Sequence, residues 1–193
     1  MEAFLNDVVT NIQTFVETSP LILSLAIGFG IVIFESIVPI LPLSVFVAIN
    51  VIAFGPVPAL LISWIGTTIG CSLSYLIFAK IRKKAYNHLY KHLNIINFIN
   101  KVDRISFPSL VCLLAMPFTP AFTVNIAAGL SEMKYSKYLK ALLCAKIFMI
   151  FFWVFIAHTF LESVTNIWTI LEIVGLLIGA YIVSKIVDKK FNI

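Results

Sequence analysis

Glu35 is the residue with the most chemistry to offer. It closes an apolar run (residues 20–34), and no other charged side chain follows until Lys80. A carboxylate within a membrane stretch is costly, and where one occurs it commonly handles protons, ions or a charged substrate. The alternative is an interfacial acid solvated at the end of a span. Two proline pairs with three-residue spacing stand nearby in the pattern: Pro39 and Pro42 directly after Glu35, and Pro117 and Pro120 inside a second uncharged stretch, residues 105–131. Proline lacks the amide proton a helix interior requires, so each pair breaks a helix and frees backbone polar groups. In lipid such groups survive only where protein or water lines them, so both breaks predict a polar pocket. Helix N-termini beginning at the breaks would add positive potential suited to an anion. Asn125 offers an amide donor and acceptor there, or else caps the helix after the second break. Gly129 follows it.

Lys146 lies in the next apolar run. It either snorkels to the inner face or supplies a buried cation for Glu35 or a substrate phosphate. Other polar residues read more simply. His158 and Glu162, one turn apart, form an interfacial pair sooner than a proton relay, and Glu172 is interfacial too. Gly66 and Gly70 have the small-xxx-small spacing of close helix packing. His88 and His92 have no further ligands at metal spacing, and Cys71, Cys112 and Cys144 read as small buried hydrophobes. The sequence carries no nucleophile motif, phosphate loop or metal signature. The expectation is therefore of no enzyme, no cofactor and no metal.

The elements that must position these groups are membrane helices. Of 193 residues, 61% are hydrophobic and 12% charged, and the mean hydropathy is +1.03; soluble domains are about one quarter charged. The net charge of +5 reflects basic residues gathered at cytoplasmic loops, so nucleic acid is not an expected partner. Residues 1–19 hold Glu2, Asp7 and Glu17 but no basic residue, unlike a signal peptide. Their apolar side chains, from Phe4 and Leu5 to Phe15 and Val16, recur at helical spacing and predict an amphipathic interfacial helix. Residues 20–193 form a single membrane domain.

Basic clusters within residues 80–104, 134–140 and 185–190 should share the cytoplasmic face. The first two flank residues 105–130, which must then enter and leave on one side as a re-entrant hairpin. By the same parity, about residues 36–55 dip from the opposite face. The expected fold is all-α, with about four full transmembrane helices plus two oppositely oriented proline-broken hairpins, and with both termini cytoplasmic. Inverted repeats of this kind are a transporter design. Six full spans kinked by proline are the competing arrangement.

At these hairpins the chain resembles the DedA superfamily, also called VTT-domain or SNARE-associated membrane proteins. The matching residues are Phe34-Glu35 with Pro39 and Pro42, Gly66 and Gly70, and then Pro117-Phe-Thr-Pro120 with Asn125-Ile-Ala-Ala-Gly129-Leu130. The similarity covers roughly residues 20–165. It implies two opposed hairpins and a role in lipid movement or membrane homeostasis. Bacterial members are implicated in returning undecaprenyl phosphate across the membrane, and eukaryotic relatives in scrambling phospholipids. Many DedA members carry arginines where this chain has Leu114 and Pro120, and an acid where it has Ser44, so it is closer to the wider VTT branch. The resulting expectation is a flippase-like transporter of an anionic lipid in a bacterial plasma membrane, with possible proton coupling through Glu35. A non-transporting scaffold is the second reading. Oligomeric state is not legible.

Overall fold

A computed structural model describes residues 2–40, 42–89, 93–118, 121–162 and 167–191. These are almost wholly helical, with no strand among them: α1 (Glu2–Thr18), α2 (Leu21–Ile37), α3 (Leu43–Phe54), α4 (Pro56–Leu89), α5 (Leu93–Arg104), α6 (Phe107–Ala115), α7 (Ala121–Leu130), α8 (Tyr135–Glu162) and α9 (Ile167–Phe191).

Proline sets the breaks. Val38 is extended (φ −128°, ψ 91°) and ends α2, because the ring of Pro39 disfavours a helical residue before it. Pro42, at φ −59°, starts α3 without any side-chain cap. Gly55 ends α3 at φ +78°, a conformation that costs any other residue more, and Pro56 then opens α4. The second break repeats the scheme. Ser106 caps α6, accepting from the Ser109 amide, and Met116 before Pro117 is extended (φ −69°, ψ 123°).

Packing fixes the directions. α2 runs parallel to α4: the Asn50 amide nitrogen on α3 bridges the Gly28 carbonyl and Ser63 Oγ, Gly66 lies against Val32, and Gly70 lies against Ser36 and Ile33. α3 returns antiparallel, so α2 and α3 form one helical hairpin whose bend lies at residues 38–42. α6 and α7 form the other, from the opposite end of α4. Gly129 on α7 packs against Tyr75 and Phe78, and Arg82 donates to the Gly129 carbonyl. Each hairpin has its own apolar cluster, Val47, Val51 and Ala59 with Ile150 and Val154 for the first, and Leu110, Leu113, Leu114 and Val124 with Leu142 for the second.

Three expectations change in detail. Residues 20–34 were expected to cross before a separate dip at 36–55, but α2 is itself the first arm of the hairpin. Among the described residues two helices are long and apolar enough to cross a membrane, Pro56–Ala85 and Tyr135–Leu161, while Leu21–Ile37 and Ile173–Ile186 are shorter apolar helices. The two termini also do not share an end of the molecule. α1 lies by Gly55, Pro56 and His158. α9 runs from that end inward, where Tyr181 meets Phe118 at the second bend, and onward to Lys185. The physical reason is the parallel packing of α2 on α4, which puts the start of both helices on one side.

Candidate functional site

The two bends meet. Pro39 and Pro42 from the first hairpin and Pro117 from the second line one cavity of about 420 Å³, together with Glu35, Asn125 and Lys146. Glu35 projects from the last turn of α2 and is 8% exposed. Lys146 is 2% exposed and lies near the middle of α8, about 17 Å along the axis from Tyr135 and about 18 Å from His158. That depth rules out snorkelling to either end. Its ammonium lies 3.3 Å from Met149 Sδ, a weak acceptor, and acts electrostatically on Glu35. The cavity thus holds an acid and a cation that act on each other through space, a pairing that offsets part of the cost of burying either charge.

Asn125, 1% exposed, is held by a residue that sequence reasoning missed. The Tyr138 hydroxyl donates to Asn125 Oδ1 at 2.8 Å, with the Cys71 carbonyl farther off at 3.3 Å. The Tyr138 ring stacks on Tyr75 at 4.7 Å, and the Tyr75 hydroxyl donates to the Met133 carbonyl. Asn50 was missed as well. It is fully buried and joins three helices, and its signal was available: it is the sole carboxamide between Pro42 and Lys80.

The helix starts add to the site's character. The opening residues of α3 (Leu43) and of α7 (Ala121, Phe122, Thr123) line the same cavity. Each brings amide donors that lack helical partners and a positive dipole end. With Lys146, they make this a place where an anionic group would find donors from three directions.

Other expectations fall elsewhere. Gly129 is a packing residue, since a Cβ there would come within 2.6 Å of the Tyr75 carbonyl. Leu114 is fully buried in the apolar cluster of the second hairpin, so a packed side chain occupies the position where many DedA members carry arginine. Ser44 is half-buried on α3. Pro120 and His92 lie outside the described residues, as do the side chains of His88, Glu162 and Glu172. Cys71, Cys112 and Cys144 are unpaired thiols, and among the described residues no cluster of three metal-ligating side chains occurs.

Opposed helical hairpins around a cavity that holds Glu35, Asn125 and Lys146, on long apolar helices, define a helical membrane protein. The VTT-domain profile matches residues 41–159, which spans most of that core and includes Lys146; Glu35 and Pro39 stand just before it. The chain is also 31% identical over 154 residues to the "Uncharacterized membrane protein YhjE" of Bacillus subtilis (strain 168), covering 79% of this chain and 74% of the relative. The chain belongs to the VTT-domain family of the DedA superfamily. No solved structure matches it.

Proposed function

We propose that this protein moves an anionic lipid across a bacterial plasma membrane, taking the headgroup into the cavity between the two bends. The observation that carries this reading is Lys146, buried at mid-helix and sharing that cavity with Glu35. A buried charge in a membrane protein is expensive and is retained where it serves a substrate or ion. A phosphate headgroup would sit between the ammonium and the starts of α3 and α7. Undecaprenyl phosphate and anionic phospholipids share this chemistry. Glu35 would release Lys146 to the substrate and exchange a proton as the cavity opens, which couples transport to protons. In this reading the site binds and transfers and makes no covalent bond.

Both hairpins are read as re-entrant. α3 spans about 18 Å and α7 about 15 Å, half or little more of a hydrocarbon core of about 30 Å. With the end of α4 that carries Lys80, Arg82, Lys83 and Lys84 cytoplasmic, the α2–α3 hairpin and α1 face the outer side, and the C-terminus faces inward.

The test is lipid flipping in reconstituted vesicles, with fluorescent phosphatidylglycerol and a polyprenyl phosphate measured separately. Wild type should accelerate at least one of them, and Glu35→Gln and Lys146→Met should not. Equal rates with and without wild-type protein would overturn the proposal in favour of a scaffold.

A further inference from the structure

A cavity of about 570 Å³ opens at the basic end of α4. Three segments build it: Arg82 and Lys83 come from α4, Asn100 and Asp103 from α5, and Ser131 and Glu132 directly follow α7. Its walls therefore carry cations and carboxylates in equal number. Arg82 and Asp103 both act electrostatically on the Tyr75 hydroxyl, so the opposite charges converge on one region. Among the described residues, none of the four charged side chains is taken up in an ion pair. Arg82 Nε and Nη2 donate to the Gly129 carbonyl at 3.3 and 3.2 Å, which fixes the guanidinium and leaves its other N–H donors for a ligand. Lys83 and Glu132 are exposed, and Arg82 and Asp103 half-buried, so a ligand can reach all four.

Charge selects the occupant. A simple anion drawn to Arg82 and Lys83 would also meet two carboxylates, and a simple cation would meet the reverse. A ligand that carries an anion and a cation a few bonds apart is matched at both ends. Depth narrows the choice further. The uncharged part of α4 ends at Ala79, and Arg82 and Lys83 follow within about 6 Å along the axis, where lipid headgroups lie outside the hydrocarbon core. A phosphate suits the guanidinium fork. A primary ammonium brings three donors to the carboxylates, whereas a quaternary ammonium brings none. We infer that this cavity binds the phosphoethanolamine headgroup of a membrane phospholipid, its phosphate on Arg82 and Lys83 and its ammonium on Asp103 and Glu132. The inference does not depend on lipid transport, since none of these residues lines the central cavity.

The test places full-length protein in nanodiscs of equal parts phosphatidylethanolamine, phosphatidylcholine and phosphatidylglycerol, and counts the retained lipids by native mass spectrometry. Phosphatidylethanolamine should be retained about fivefold over either of the others. Asp103→Asn should reduce that preference roughly threefold. Glu132→Lys, at an exposed position, should turn it toward phosphatidylglycerol. Lys146→Met alters the central cavity only and should leave the preference unchanged. Free phosphoethanolamine in excess should not displace the lipid, whose chains stay in the membrane. Equal retention of the three lipids, an unaltered preference in both Asp103→Asn and Glu132→Lys, or loss of the preference in Lys146→Met would each overturn the inference. Displacement by free phosphoethanolamine would overturn it too, in favour of a soluble ligand.

Discussion

The hydroxyl of Tyr138 donates to Oδ1 of Asn125 across 2.8 Å, joining the first turn of α8 to the second hairpin at the edge of the central cavity. Both residues are fully buried, so the bond holds the amide in one orientation. Tyr138→Phe leaves the Asn125 oxygen without this donor and should cost about 1–3 kcal/mol. A lowered thermal midpoint in detergent, with slower lipid flipping, is the expected result. An unchanged midpoint would show that the bond does not order the site.

Lys146 and Glu35 should behave as a coupled pair. Lys146→Met keeps the length of the side chain but removes the charge, and is expected to abolish flipping of anionic lipid. Truncating one partner of a buried charge pair is more harmful than replacing both. The double variant Lys146→Met with Glu35→Gln should therefore be more stable than the sum of the single effects predicts. A double-mutant cycle on thermal stability measures this, and additivity within about 0.5 kcal/mol would refute coupling.

Two glycines of α2 and α4 make opposite predictions. A Cβ on Gly70 would lie 2.6 Å from the Ser36 Cβ and 2.7 Å from the Ile33 carbonyl, whereas one on Gly30 meets nothing within 4 Å. Gly70→Ala should destabilise by about 1–3 kcal/mol as the two helices are forced apart. Gly30→Ala should be neutral or stabilising by a few tenths of a kcal/mol up to about 1 kcal/mol. Parallel melting curves of the two variants decide the matter.

Restoring the arginine common in DedA members should fail. Leu114 is fully buried among Leu110 and Leu113, so Leu114→Arg places a charge in apolar surroundings. Loss of folded protein at expression is the expected outcome. Normal yield with enhanced transport would mean that the second hairpin tolerates a cation there.

Membrane orientation is testable by thiol labelling after replacing the three native cysteines with alanine. Cysteine at Thr18 should react from the outer face, and cysteine at Ser106 or Lys189 from the cytoplasmic face. Reaction of positions 18 and 189 from the same face would contradict the antiparallel placement of the termini.

What the sequence made legible was local. Pro39 and Pro117 announce their breaks because a missing amide proton acts within one turn, and the stretches around them are apolar enough to be read as membrane helices. Glu35, Asn125 and Lys146 were recognisable as costly residues in such stretches. The direction of α2 was not legible, since it depends on Gly28 meeting Asn50 and on Gly66 and Gly70 meeting the α2 backbone, all contacts between distant parts of the chain. Charge counting offered little guidance there, because residues 1–79 contain no basic side chain. The choice between snorkelling and burial for Lys146 turned on how α8 packs beside both bends, which its own neighbours in sequence do not specify.

The close fit of Gly66 and Gly70 against α2 has a consequence for biosynthesis. Every residue of the first hairpin and of α4 precedes Lys146, which leaves the ribosome about 110 residues after Glu35, or roughly 5–20 s later at ordinary translation rates. During that interval the acid has no lysine from α8 beside it. The nascent hairpin must keep its shape by its contacts with α4, the Asn50 bridge and the close approach at Gly66 and Gly70 among them, which serve as an assembly jig for a charge that arrives later.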